Sequence, residues 1–525
     1  MSESSQKQLV KAAGIISSAT GLSRVLGFVR DMIIAHMLGA QSAADAFFVA
    51  FSIPNLLRRL FAEGALSASF VPVFTQYLTA KSPGEAWRFA NIMFTSLALI
   101  LGGVTALGIT FAPQIVAVIV PGFWSDPEKL ALTVLLTRIM FPFLFFIGLT
   151  AIAMGVLNAC QHFTAPALAP VVLNMAIIGA ALFLSPSLSR PVIGLALGVV
   201  VGGVLQLLLQ FPWLYQKGLV FRPQLSWNHP GLRRVLLLMG PGALGFAVAQ
   251  VNILIDRLIA SFLPVGSISY LYYGNRLIQF PLGVFGIAIS VAILPLFSQQ
   301  MAQNRLAEMK TALGFALRLL LFITLPASIG LIILRYPIIH VLFERGAFTR
   351  ETTAATAMAV FYYAFGLCAF AGIKVVVSTF YSMQDTATPV RISIYAMLLN
   401  ILLNLLLMHP LKHGGLALAT SLSSFFNLAL LLWILRQRIG ALDEHRLLSS
   451  STKIGMAAAG MGGALYLLQK VSWMETPFLL YKAVWLGMAI VSGGGIYLGL
   501  AFLLRSEEVL FLYHLCVRKW KGTKA

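Results

Sequence analysis

The sequence has few charged residues and almost no cysteine. Lys, Arg, Asp and Glu make up 10% of its 525 residues, against about 25% in a typical soluble domain. Hydrophobic residues make up 59%, and the mean hydropathy is +0.88. This composition excludes an ordinary soluble protein and indicates a polytopic membrane protein. The three cysteines, Cys160, Cys368 and Cys516, are too widely spaced to predict a disulfide framework or a metal site.

Catalytic and nucleotide-binding motifs are also missing. The eight histidines are dispersed, and no nucleophile, metal or P-loop pattern is present, which argues against an enzyme and against direct use of ATP. We therefore expect a transporter without a cofactor. Its energy would come from the membrane potential, from an ion gradient such as Na⁺ or H⁺, or from substrate flux.

Basic residues outnumber acidic residues by 37 to 17, giving a net charge of +20. Most of them lie between hydrophobic segments, where the positive-inside bias places them whatever the function. No basic cluster alternates with stacking aromatics, so we predict no nucleic-acid partner. The bias favours cytoplasmic N- and C-termini. The polar start MSESSQKQLVK has no cleavage pattern, so we expect the first span to remain as a membrane anchor.

About 20 apolar residues are enough to cross a bilayer as a helix, and the chain contains fourteen such segments. The first six cover 13–38, 46–78, 88–120, 130–158, 166–185 and 191–214. The next six cover 234–262, 268–298, 312–343, 354–383, 389–409 and 414–435, and the last two cover 453–470 and 481–504. The predicted fold class is an all-α polytopic membrane protein with about 14 transmembrane helices.

An internal repeat organises these segments. Pro72 matches Pro295, and Gln161 matches Gln384, each at a separation of 223 positions. Further matches join DMIIAHML to DRLIASFL and one GLAL run to another, at nearly the same separation. Each copy has six spans, so the copies are parallel repeats and the expected site is their interface near the midplane. The predicted domains are 1–222, 223–440 and an accessory pair of helices with a tail at 441–525.

Several charged side chains fall inside predicted spans, where a charge costs roughly 2.5–3.5 kcal/mol unless it faces water, a partner or a ligand. On the first span Ser23, Arg24, Arg30 and Asp31 follow helical spacing and share one face. Further candidates are Arg58, Arg59, Glu63, Asn275 and Arg276. Guanidinium groups are planar forks that suit phosphate, so this set predicts a hydrated cavity that binds an anionic, phosphorylated substrate.

The acidic residues allow two interpretations. Asp31, Asp256 and Asp385 are candidate sites for a coupling ion. Alternatively, Asp31 and Asp256 pair with the arginines beside them, as Glu63 does with Arg59, and the pairs only join helices.

The run SRVLGFVRD, followed by ADAFFVAFSIPNLLRRLFAEGALSASFVPVF, resembles the N-terminal signature of the MurJ (MviN) family of lipid II flippases. The resemblance continues through YYGNRLIQFP, GVFGIAISVAILPLFS and FYSMQDTATPV, so it covers nearly the whole chain. It implies the multidrug/oligosaccharidyl-lipid/polysaccharide (MOP) exporter fold, with two six-helix lobes around a cavity and two C-terminal helices that form a lipid groove. It also implies alternating access in the bacterial cytoplasmic (inner) membrane. Lipid II, the undecaprenyl-pyrophosphate-linked disaccharide pentapeptide, would move to the outer leaflet for peptidoglycan synthesis.

The resemblance further implies roles for individual residues. The essential cavity arginines of the family fall on Arg24, Arg30, Arg58 and Arg276, and its acidic position falls on Asp45. Arg59 and Glu63 lie in the matching LLRRLFAEGA run. Asn275 departs from the pattern, because many relatives carry Asp there, and this puts an expected salt bridge in doubt.

Three other functions remain open at this stage. The chain could flip another polyprenyl-pyrophosphate-linked oligosaccharide, such as an O-antigen or exopolysaccharide intermediate. It could be a scaffold that recruits cell-wall synthesis proteins without transporting anything. A drug/cation antiporter would instead need carboxylate-dominated cavity walls, and here arginine dominates. The expected partners are lipid II, membrane lipids and, for the scaffold, cell-wall synthesis proteins.

Overall fold

The computed structural model describes residues 3–58, 66–470, 478–511 and 513–514, and within them the regular secondary structure is helical. The first ten helices are α1 (Glu3–Leu38), α2 (Ser42–Arg58), α3 (Ser67–Ala80), α4 (Pro83–Thr110), α5 (Ala112–Ile119), α6 (Pro127–Met140), α7 (Pro142–Ala159), α8 (Thr164–Gly179), α9 (Pro191–Gln216) and α10 (Pro230–Ser261). The next eight are α11 (Ser267–Pro281), α12 (Ile287–Ala302), α13 (Leu306–Phe343), α14 (Arg350–Ser382), α15 (Ala387–Leu411), α16 (His413–Ile439), α17 (Glu444–Gln469) and α18 (Leu479–Leu503).

Every predicted span falls on one of these helices or on consecutive ones, which confirms the all-α fold class. The third and fourth spans are each divided, at Phe111 and Phe141, where Pro113 and Pro142 lie in the first turn of the next helix. Proline lacks the N–H that would continue the preceding helix. Among the described residues, ten helical stretches are long and apolar enough to cross a membrane. The count of fourteen stays a prediction.

Contacts divide the chain into two compact units. The first unit is Met1–Ser269 together with Arg345–Phe348, and the second is Tyr270–Glu344 together with Thr349–Ala525. The first unit includes α10, which the predicted boundary at residue 222 places in the second repeat. Repeat boundaries and packing units are different properties, so the predicted domains stay a prediction.

The internal repeat is visible in the backbone at the matched glutamines. Gln161 and Gln384 both end a helix in the left-handed conformation, with φ of 58° and 60°. In the first copy the N–H of His162 donates to the carbonyl of Leu157 at 2.8 Å, and in the second the N–H of Asp385 donates to that of Phe380 at 3.0 Å. The same C-terminal turn therefore recurs at the same separation as in the sequence.

Each unit has its own apolar core. In the first unit Phe70, Phe74 and Phe89 are fully buried among α3, α4 and α7. In the second unit one core surrounds α13, α14 and α16. A separate core joins α17 and α18 to α13 around Trp485 and Tyr497. The hydroxyl of Tyr497 donates to the carbonyl of Phe322 at 2.7 Å. The accessory helices are therefore part of the second unit.

Candidate functional site

The polar face of α1 is joined to α8 by a hydrogen-bonded network. The Nε and Nη2 atoms of Arg30 donate to Oδ1 of Asp31 at 3.0 and 2.7 Å, and Nη1 donates to Oδ1 of Asn174 at 3.0 Å. Nδ2 of Asn174 donates in turn to the carbonyl of Ser23 at 3.1 Å. Asp31 is fully buried and Asn174 nearly so. This geometry favours the interpretation in which Arg30 and Asp31 join helices.

Arg24 has a different environment on the same helix. Arg24 is exposed, and its side chain makes no hydrogen bond or ion pair with any other described residue. A guanidinium in that setting keeps all five donors for water or a ligand. Of the predicted contacts on α1, Arg24 is therefore the one whose geometry suits an anion.

Arg58, at the C-terminal end of α2, is half-buried. Its Nε donates to Oδ1 of Asn55 at 2.9 Å, one turn earlier on the helix. Pro54 lies within the same helix, where a proline frees a backbone carbonyl. The predicted residues Arg59 and Glu63 lie outside the described residues, so their proposed pairing stays a prediction.

Asp45, the acidic position implied by the resemblance, is 1% exposed and is enclosed by donors from distant parts of the chain. Oδ2 accepts from Nζ of Lys129 at 2.9 Å and from the N–H of Gly266 at 2.8 Å. Oδ1 accepts from Ser269, through its N–H at 3.0 Å and its hydroxyl at 2.7 Å. Four donors saturate the carboxylate. Its geometry suits a structural connection between α2, α6 and the start of α11 better than direct substrate contact.

Lys129 is a buried charged residue that sequence reasoning missed. It is 5% exposed, and its Nζ also lies 4.0 Å from the centre of the Phe123 ring. In the sequence it stands in the polar stretch SDPEKL between two spans, where a lysine is ordinary. Its partner Asp45 lies 84 residues away, so no local signal could have identified the pair.

Four residues distant in sequence, Arg345–Phe348, pack into the first unit, and we term them the latch segment. The N–H of Ala347 donates to the carbonyl of His36 at 2.9 Å. Gly39 has φ +56°, and a Cβ there would lie 2.2 Å from the carbonyl oxygen of Ala347. Gly346 has φ +58°, and a Cβ there would lie 2.5 Å from Nδ1 of His36. The latch segment therefore meets the end of α1 through close backbone contact that only glycine permits.

In the second unit, the predicted residues on α11 are half-buried. Asn275 accepts through Oδ1 a hydrogen bond of 3.2 Å from Nε2 of Gln279, one turn later. Arg276 is half-buried beside it. Asn275 is thus engaged within its own helix through an amide contact.

The other two candidate ion sites differ from each other. Asp256 on α10 accepts from Nδ2 of Asn252 at 3.4 Å, and the neighbouring Arg257 donates to the carbonyl of Phe48 at 3.2 Å. Arg257 therefore makes a backbone contact to α2.

Asp385 precedes α15 and caps its first turn. Oδ1 accepts from the N–H of Thr388 at 2.9 Å, and Oδ2 accepts from the Thr388 hydroxyl and from Arg438 of α16. Burial by itself would raise the pKa of the Asp385 carboxyl, but the bonds from Thr388 and Arg438 outweigh it and hold that pKa below its ordinary value. This geometry favours a helix-capping role over ion coupling.

The structure brings Ser23, Arg30 and Asp31 together through Asn174, and it places Asp45 and Asp385 in separate structural clusters. Arg24, Arg58 and Arg276 keep at least part of their surface accessible. Among the described residues, no three His, Cys, Asp or Glu side chains group as a metal site would need. Two repeated helical units with cations on helices of membrane-spanning length define a polytopic membrane transporter.

Comparison with known proteins narrows this class. A family model described as "Lipid II flippase MurJ" matches residues 34–486. A probable lipid II flippase MurJ of Vibrio cholerae is 40% identical over 466 residues, 87% of this chain and 89% of that protein. The lipid II flippase MurJ of Burkholderia cenocepacia is 35% identical over 503 residues, 92% and 98% of the two chains. The chain belongs to the MurJ family.

Solved structures agree with this assignment. The chain is similar to a lipid II flippase MurJ in an inward closed conformation, with a TM-score of 0.79 and 28% identity over 93% of this chain and 98% of that one. An inward-facing MATE family transporter of the MOP superfamily gives a TM-score of 0.68 at 16% identity, covering 80% and 96% of the chains. The second likeness concerns the fold alone. The family is one of transporters, not of enzymes.

Proposed function

We propose that this protein translocates lipid II from the inner to the outer leaflet of the cytoplasmic membrane by alternating access, for peptidoglycan synthesis. The observation that carries the proposal is the family match over residues 34–486, which spans most of both repeats. The fold supports it, since the MurJ structure covers 93% of the chain.

We assign the pyrophosphate contact to Arg24, Arg58 and Arg276. The support is chemical: a guanidinium offers paired N–H donors that match phosphate oxygens, and Arg24 has no competing partner among the described residues. Arg30 has a different proposed role, because Asp31 and Asn174 take three of its donor contacts. We assign it to positioning α1 against α8.

We further propose that the membrane potential drives transport, with the N- and C-termini in the cytoplasm. A negative interior favours outward movement of a pyrophosphate by about 2.3 kcal/mol per charge per 100 mV, if the charge crosses the whole field. Coupling to Na⁺ or H⁺ at Asp256 is the alternative. Flipping that continued after collapse of the membrane potential but depended on a sodium gradient would favour that alternative.

The test is flipping of labelled lipid II in vesicles that contain purified variants at matched protein levels. Arg24→Ala and Arg276→Ala should abolish or strongly reduce flipping and should weaken lipid II binding. The matched control is Arg88→Ala, because Arg88 is exposed and pairs only loosely with Glu85 at 3.8 Å. Normal flipping in the Arg24 and Arg276 variants would show that the assigned contacts are wrong. Lipid II binding without any flipping by the unaltered protein would favour the scaffold.

A further inference from the structure

The connection between α9 and α10 runs along α4 in an extended conformation. Nδ2 of Asn91 donates to the carbonyl of Val220 at 3.0 Å, and Oδ1 of Asn91 accepts from the N–H of Arg222 at 3.0 Å. The hydroxyl of Thr95 accepts from the N–H of Gln224 at 3.1 Å. A carbonyl at one residue and N–H groups two and four residues later point the same way only in an extended chain. We term residues 219–227 the linker strand.

The predicted span 88–120 places the linker strand at the level of the membrane surface. Asn91 and Thr95 fall inside the predicted span 88–120, and Thr95 stands about 10 Å along the helix from residue 88. Non-helical backbone at this depth needs hydrogen-bond partners. Asn91 and Thr95 of α4 supply them.

Side chains of an extended chain alternate between two faces. The odd-numbered face begins with Leu219, which is 5% exposed in the core of the first unit. Phe221 follows, in edge contact with Phe94 of α4 at 6.2 Å between ring centres. Leu225 continues the same face and is 52% exposed. Trp227 is 48% exposed and follows in a turn, which the N–H of His229 closes by donating to the carbonyl of Ser226. The apolar residues thus begin in the protein core and continue onto side chains that are about half exposed.

The charge of this region is positive. From Lys217 to Ile255 the sequence contains no acidic residue, whereas Lys217, Arg222, Arg233 and Arg234 lie within it. Arg222 and Gln224 occupy the even-numbered face and are exposed. Basic residues beside an apolar, aromatic face are the features that bind an anionic lipid surface.

We propose that the linker strand is an interfacial anchor: Phe221, Leu225 and Trp227 insert at the headgroup level of the leaflet on the side of α4's N-terminus, and Arg222 contacts anionic headgroups. The proposal does not depend on lipid II transport. It would give the connection between α9 and α10 a fixed depth in the membrane, through the bonds to Asn91 and Thr95.

Depth-dependent fluorescence quenching tests the anchor at two adjacent residues that lie on opposite faces of the linker strand. A bimane label is placed on a single cysteine at Leu225→Cys or, as the matched control, at Gln224→Cys, with the three native cysteines replaced by serine. The full-length protein is reconstituted in vesicles containing phosphatidylglycerol, with or without phospholipid brominated near the headgroup. The label at 225 should be quenched at least about twofold more than that at 224, because an interfacial apolar face lies roughly 5–10 Å into the headgroup–acyl boundary.

Iodide in the aqueous phase should give the opposite order, with stronger quenching at 224. Equal quenching of both labels by either agent would overturn the proposal. A label at 225 that neither agent quenches would overturn it in favour of a second copy of the chain covering this face. In the variant Arg222→Gln, quenching of the label at 225 by brominated phospholipid should depend less on whether the vesicles contain phosphatidylglycerol. An unchanged dependence would rule out the headgroup contact.

Discussion

The buried pair of Asp45 and Lys129 allows a quantitative prediction. In Asp45→Asn the remaining carbonyl oxygen can still accept from Ser269, but the new NH₂ group faces two donors, Nζ of Lys129 and the N–H of Gly266. Lys129 is then a buried cation without its counter-charge. Breaking a buried ion pair by removing one partner costs about 3–5 kcal/mol, so we expect the free energy of unfolding to fall by that amount.

A double-mutant cycle with Lys129→Met tests the cause of that loss. The double variant removes both charges, so its cost should be below the sum of the single costs by about 2–3 kcal/mol, the upper range for contacting residues. The measurement is reversible unfolding in mixed detergent micelles, followed by circular dichroism. A change below about 0.5 kcal/mol in Asp45→Asn, the range of ordinary surface substitutions, or a strictly additive cycle would refute the assignment of Asp45 to a structural role.

Three further outcomes are expected. Gly39→Ala should weaken the contact of the latch segment and reduce flipping, because its Cβ would lie 2.2 Å from the carbonyl oxygen of Ala347. Gly102→Ala should have neither effect, because a Cβ there meets open space. Equal effects of the two variants would contradict the contact. His229 caps α10 by accepting from the N–H of Gly231 through Nδ1; burial, followed by nearby Arg88, lowers its pKa. The stabilisation from the His229 cap is therefore present above the pKa of the unfolded state and is lost as pH falls through the lower pKa of the folded state. Hydrogen exchange at the start of α10 should rise over that pH range in the wild type but not in His229→Asn. Arg30→Lys should destabilise the α1–α8 contact, because one ammonium cannot replace the fork that joins two partners; unaltered thermal stability would count against that role.

The sequence was sufficient to predict the helical architecture and its duplication. Apolar segment length is a local property. The matched glutamines, Gln161 and Gln384, form the same turn in the structure, with φ near 60° at both. The shared face of Ser23, Arg30 and Asp31 followed from helical spacing alone. These predictions succeeded because the physical cause of each one lies within a few residues.

The partners of those residues could not be predicted in the same way. Asn174 lies 144 residues from Arg30, and Lys129 lies 84 residues from Asp45. Asn174 occurs in an apolar span with no charge around it, and Lys129 occurs in a polar stretch between two predicted spans, where lysine is common. Which helices pack together, and in what register, is a tertiary property that one sequence does not report. The functional sorting of the charged residues therefore required the structure.

That sorting leads to one physical distinction between two arginines on the same helix. Arg24 and Arg30 are six residues apart in a single polar pattern, and the sequence resemblance implies a cavity role for both. Arg30 is held by a buried carboxylate and an amide, so any anion that reached it would compete with contacts already made at 2.7–3.0 Å. Arg24 faces no such competition among the described residues. If both arginines bound the pyrophosphate, Arg30→Ala and Arg24→Ala would lower lipid II affinity alike. On the geometry seen here, Arg24→Ala should lower affinity at unchanged stability, and Arg30→Ala should lower stability first.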